Sequence, residues 1–239
     1  MLYLFATVSK AHLPTLATGD GWSDGAAPRT EQLSAEERAV LGARWLASAQ
    51  MEHASVSAFA QLSLHLAALG APSELVERSH LAALDEIRHA RRCFALASAY
   101  GATPWTAGPI AELVHTDASS IDRVRLAVGS LVDGCLAAGI AADVAASGAR
   151  TAADPAVRQT LAMIALDEER HAELAWSVLA WCLDTGDDAV RTAVAARAAR
   201  LGDELAHTLG AIASERIAVV RDRAAALVAA RAAALATAA

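Results

Sequence analysis

From Val40 to Leu69 apolar residues recur every three or four positions, which predicts a helix. Ser34, followed three residues later by Glu37, supplies a capping box ahead of it, and Gly70 stops it. A second helical period opens at Pro72 and Ser73 and runs to Tyr100. A third spans Ile121 to Ser147 with Gly148 as its stop, and a fourth starts at Asp154-Pro155 and ends near Asp184. The first two helices, and the last two, are separated by only a few residues, so each pair forms an antiparallel hairpin. The stretch between the hairpins, Gly101 to Ser120, contains two prolines and no sustained period, and fully extended it could cover roughly 60 Å, the length of a bundle. The expectation is an all-α chain in which residues 34–185 form a four-helix bundle of two hairpins joined by one long crossover. Residues 1–33 read as an irregular lead-in. Residues 186–239 read as an Ala- and Arg-rich helical extension, broken near Gly202 or Gly210, whose apolar face needs cover from the bundle or from a second subunit in a homodimer.

Composition supports helices and narrows the partners. Hydrophobic residues make up 55 % of the chain but aromatics only 4 %, so the core is built from Ala, Leu and Val. A net charge of −7 with scattered arginines offers no field for a phosphate backbone, which argues against nucleic acid. Cys93, Cys135 and Cys182 are too dispersed for a disulfide framework and include no Cys-x-x-Cys pair for zinc or a rubredoxin-type iron, so a reducing, cytoplasmic setting is expected. The apolar run LYLFATV lacks a basic region before it and is followed by Lys10, unlike a secretory leader. No uncharged apolar run approaches the ~20 residues of a membrane span.

The candidate chemistry lies in a repeated phrase. ALDEIRHA at Ala83 returns 82 residues later as ALDEERHA at Ala165. Glu86 and His89 are three apart on one helical face, as are Glu168 and His171. Steps of three and four place both pairs in apolar seams: Leu75, Ser79, Ala82, Glu86, His89, Cys93, Leu96, Tyr100 in the second helix, and Val157, Leu161, Ile164, Glu168, His171, Ala175, Val178, Cys182 in the fourth. The same stepping puts Glu52 in the seam of the first helix and Asp133 in that of the third. Spacings of 34 from Glu52 to Glu86 and 35 from Asp133 to Glu168 suggest matching heights. Four carboxylates and two imidazoles meeting inside a bundle are prohibitive without counter-charge, and two divalent ions would supply it. His53, about 100° around the helix from Glu52, and His80 fall outside the seams. Cys93 reads as a small hydrophobe, and Trp45, Trp176 and Trp181 as core or bundle-edge aromatics.

The doubled Asp-Glu-x-Arg-His on this helical frame resembles the ferritin-like superfamily, in particular its di-iron monooxygenases and, more loosely, ribonucleotide reductase small subunits. The resemblance covers residues 34 to 184. It implies a ferritin-like fold and two iron ions, or manganese or a mixed pair, held by Glu52, Glu86, His89, Asp133, Glu168 and His171. It also implies that Asp85 orients His171 and Asp167 orients His89, fixing the tautomer that leaves one ring nitrogen for metal, with Arg88 and Arg170 balancing charge behind them. No catalytic group beyond the ligands is implied. The activity implied is dioxygen activation to hydroxylate, N-oxygenate or desaturate a small organic substrate, with electrons from an external donor. Iron handling as a ferroxidase or storage subunit, and a metal-free structural bundle with a lapsed site, are the alternatives. Asp133 is one methylene shorter than Glu, which would open a coordination position on the third helix, weaken the second metal, or leave only one ion tightly bound.

Overall fold

The computed structural model describes residues 13–110, 121–201 and 211–238. It is mostly helical: α1 (Ala35–Ala68), α2 (Ser73–Gly101), α3 (Arg123–Gly129), a π-helical stretch (Ser130–Ala138), α4 (Gly139–Thr151), α5 (Pro155–Thr185), α6 (Asp188–Ala199) and α7 (Ala211–Ala238), with two short strands, β1 (Pro14–Thr18) and β2 (Trp105–Ile110). The α3, π and α4 segments follow one another without a break and act as one rod. With α1, α2 and α5 that rod makes four long helical elements.

The ends of these rods are where side chains satisfy free backbone groups. The Ser34 hydroxyl accepts from Glu37 N and the Glu37 carboxylate accepts from Ser34 N, so the capping box forms. Asp154 accepts from Ala156 N and Val157 N, with Pro155 in the first turn of α5. Arg123 ties the far end together by donating to the carbonyls of Thr185, at 2.7 Å, and Leu69, at 3.3 Å. α1 and α2 pair along their whole length, and α1 approaches so closely at Gly42 that a Cβ there would fall 3.2 Å from Gly101 N. The third rod pairs with α5, and α2 packs on α5 to join the hairpins. α1 and the third rod barely touch, which leaves a cleft between them.

Several expectations change. The lead-in and the crossover are not wholly irregular, since β1 and β2 pair antiparallel in a two-stranded ribbon with a register shift between Pro14 and Leu16. Neither strand alternates apolar with polar, and β1 buries only Pro14, so no period announced them. The third rod begins at Arg123, capped by Asp122, and passes through Gly148 to end at Thr151. Gly148 lacks the positive φ of a helix stop, and Ala152 leaves the helix instead. The breaks expected at Gly202 or Gly210 lie outside the described residues. Of the two covers expected for the extension, its own bundle supplies one: Ile217, Val220 and Ala224 of α7 enter the same core as Leu131, Cys135, Leu136 and Leu179, while Ile212 and Val219 stay exposed. Arg216 clamps Asp143 through two hydrogen bonds of 2.8 and 2.7 Å, and Arg223 stacks over Trp176 at 4.2 Å. Arg123–Thr151 is long and apolar enough to cross a membrane by composition, with a mean hydropathy of 1.6, but 61 % of that window is buried within the protein.

Candidate metal centre

The seams of α2 and α5 deliver the repeated motifs to one interior point. Every residue of the α2 seam from Leu75 to Tyr100 is buried, and in α5 so is every seam residue from Ile164 to Cys182. Glu52 of α1, Glu86 and His89 of α2, and Glu168 of α5 each place a ligand atom within 4.8 Å of the others, all buried, and this group could hold a metal ion. His171 completes the arrangement, its Nδ1 lying 3.2 Å from Glu86 Oε1 and 3.6 Å from Glu168 Oε2. His89 Nδ1 lies 3.6 Å from Glu86 Oε2 and 3.5 Å from Glu52 Oε2. Glu86 therefore stands between the two imidazoles, one oxygen toward each.

The ring orientation is set from behind. His89 Nε2 is 2.9 Å from Asp167 Oδ2 and His171 Nε2 is 3.3 Å from Asp85 Oδ2, so each motif's aspartate serves the other motif's histidine. Each aspartate also accepts from the arginine of its own motif, Arg88 on Asp85 and Arg170 on Asp167. The arginines cross over too, with Arg88 3.6 Å from Asp167 and Arg170 3.4 Å from Asp85. An Nε2–H held by a carboxylate fixes the tautomer and turns the bare Nδ1 lone pair toward the glutamates.

That geometry is unfavourable without a cation. Both Nδ1 atoms, Glu52 Oε1 and Glu86 Oε2 are buried with no hydrogen-bond partner, and lone pairs face anions at under 4 Å. Without metal, protons must take the role. Burial pushes Glu52 up to about 8, with Glu86 and Glu168 adding to the effect against His89, and burial likewise raises Glu168. Burial would depress the imidazoles, but hydrogen bonds to Asp85, Glu168 and Glu86 outweigh it and lift His171 to about 11. Asp167, Glu52 and Glu86 lift His89 well above its usual range in the same way. Burial also acts on Glu86, yet the two histidines win and hold it well below the carboxylate range. Asp85 and Asp167 are lowered because their histidine and arginine partners outweigh burial. Three glutamates, two oriented imidazoles and an orphaned polar interior form the donor set that suits a divalent transition metal.

Asp133 does not join this set. Gly134 and Ala175 are so close that a Cβ on Gly134 would fall 2.2 Å from Ala175 Cβ, which puts the two at one height in an antiparallel pair. Asp133 is therefore level with Trp176, roughly 12 Å along α5 from Glu168. It sits in the π-helical stretch, whose wider i→i+5 turns break the three-and-four stepping that had put it in the seam. By the same pairing the residue opposite His171 is Ala138, so the side of the cluster facing the third rod carries no acid. The level match was available only from a correct pairing of the third rod with α5, which residue spacing alone did not supply.

That open side meets a cavity of about 380 Å³ in the cleft between α1 and the third rod. Glu86, Glu168 and His171 line its inner end with Ala138, and Phe59, Leu62, Leu126 and Leu174 line its apolar walls, while Glu52 and His89 are not among the lining residues. Phe59 packs on the His171 ring at 4.8 Å. Other singled-out residues have separate employment. His53 packs edge-on against Trp22 at 4.4 Å, and His80 shares a 2.8 Å hydrogen bond with Ser63. Burial and the charges of Glu52 and Glu86 push the Cys93 thiol well above its usual range, which leaves it an unreactive neighbour of the cluster. No family model, curated protein or solved structure matches the chain.

Proposed function

We propose that the cluster holds two iron ions on either side of Glu86, within a ferritin-like bundle, and that the protein is a di-iron oxidase or oxygenase acting on a small organic molecule that enters the cavity. The carrying observation is that Glu86 directs one oxygen toward each of two partnerless Nδ1 atoms. Glu52 and His89 would complete one position, and Glu168 and His171 the other. When bound, such a pair of ions supplies two electrons together to dioxygen and stabilises both oxygen atoms.

The protein's own contribution is orientation and exclusion of water. Asp167 and Asp85 hold the Nε2–H protons of His89 and His171, so neither ring turns or takes its proton on Nδ1. Phe59, Leu62, Leu126 and Leu174 make the approach to His171 apolar, which keeps bulk water from a strong oxidant. Ala138 leaves the substrate side open, as catalytic metal sites require. A largely apolar cleft ending on the cluster favours an organic substrate over iron itself. Without a Cys-x-x-Cys pair, reducing electrons come from a separate donor.

The test is to load the chain with ferrous ion anaerobically, admit oxygen, and follow oxygen uptake and the visible spectrum. Uptake of about one dioxygen per two irons is expected, and it should be lost in His171→Ala. A chain that neither retains iron nor consumes oxygen would instead be a structural bundle with a lapsed site.

A further inference from the structure

Besides the cluster, the cavity is lined by three charged side chains, Asp122, Arg125 and Asp133, together with His65. Burial and the neighbouring Arg125 hold His65 below its usual 6.5, so it adds no charge at neutral pH. Asp122 is occupied in capping α3 and accepts from Val124 N at 3.0 Å. Arg125 is three positions along and belongs to the same outer end of the cavity. Asp133 differs: it is exposed to the cavity between that end and the cluster, and among the described residues its carboxylate has no hydrogen-bond or ion-pair partner. Gly129, about one turn earlier on the same rod, leaves room beside it, since a Cβ there would stand 3.9 Å from Asp133 Oδ2.

Burial raises the Asp133 carboxyl above its usual range and outweighs the charge of Arg197 acting on it, so its charge is only partly compensated. The π-helical stretch that carries it is the local geometry often found where a helix serves a site. Outside the cluster the lining holds two acids and one arginine, and the charge of Arg197 also reaches Asp133. Asp133 stands five residues of α5, roughly 7 Å, from the height of His171, a span that a few carbon atoms bridge.

We propose that Asp133 recognises a basic nitrogen, and that the cavity takes a small, partly apolar amine whose ammonium pairs with Asp133 while its carbon skeleton reaches toward Glu168 and His171. This rests on the cavity serving the proposed oxidation, but the binding itself needs no metal. A charge-assisted hydrogen bond within apolar walls gives the amine its advantage over a neutral analogue. Asp133 is a specificity-determining residue in this reading and makes no contact with the ions.

Calorimetric titration of the purified full-length chain with hexylamine, hexan-1-ol and hexanoate tests it, with metal content measured on the same samples. Hexylamine should bind on the order of tenfold tighter than the alcohol, and hexanoate weakest. In Asp133→Asn the amine should fall to the level of the alcohol, while alcohol binding, which reports an intact cavity, and metal content stay unchanged. Equal binding of amine and alcohol by the native chain, survival of the preference in Asp133→Asn, or loss of metal from that variant would overturn the proposal. A chain that consumes no oxygen yet keeps the amine preference would defeat the oxidase reading alone.

Discussion

The two hairpins contribute the same motif and different companions. α2 and α5 each bring Asp-Glu-x-Arg-His, and each motif's aspartate holds the other's histidine, so the pair is close to symmetric. Their partners are not. α1 adds Glu52 at the height of the cluster, whereas the third rod offers Ala138 there and widens into π-helix beside it. One half of the cluster is thus sealed by protein and the other faces a cavity. A duplicated motif suffices to orient donors, and the unduplicated helices decide where the outside world gains access.

The largest effect should come from the residue the halves share. Glu86→Ala removes a donor from both, and metal analysis of the purified variant should show loss of both ions where Glu52→Ala loses only one. If Glu86→Ala retained two ions, the halves would not depend on a common oxygen donor. The next test fills the gap: Ala138→Glu would set a fourth carboxylate opposite His171. It should tighten metal binding and at the same time weaken binding of small molecules in the cavity, both readable by titration. Symmetry behind the ligands is tested by Asp85→Asn and Asp167→Asn, each expected to weaken metal affinity about 10–100-fold. Markedly unequal losses would mean that the two aspartates do different jobs.

The smallest effect is in the chelator-treated protein. Glu52 rises from 4.5 to about 8 and His171 from 6.5 to about 11 on folding, so both bind more protons folded than unfolded between pH 6.5 and 8. Their contribution is complete below the unfolded values and is lost as pH climbs through the folded ones. Glu86, Asp85 and Asp167 shift the other way, and their windows lie below pH 5. The metal-free melting temperature should therefore fall between pH 6.5 and 8, and the metal-loaded protein should lose this slope because ions replace the protons.

Much of this was legible in the order of residues. The seams of α2 and α5 follow straight α-helical stepping, so Glu86, His89, Glu168 and His171 could be placed together from spacing alone, as could the caps at Ser34 and Asp154. Stepping failed where the hydrogen-bond pattern changed. No propensity marks Ser130–Ala138 as π-helical, and within it Asp133 turns from the cluster to the cavity wall. Heights failed for a related reason, because equal spacing between residues of two helices says nothing about where the turn between them sits. The contact of Gly134 with Ala175 depends on the absence of a side chain, which no apolar pattern records. The β1–β2 ribbon lay hidden because its strands lack a buried alternating face.

Diffraction from crystals of the iron-loaded protein, with anomalous maps collected at the iron absorption edge, tests the central claim most directly. The expected result is two peaks flanking Glu86, one within bonding distance of His89 Nδ1 and the other of His171 Nδ1. A single peak, or electron density for water alone between the two imidazoles, would contradict it.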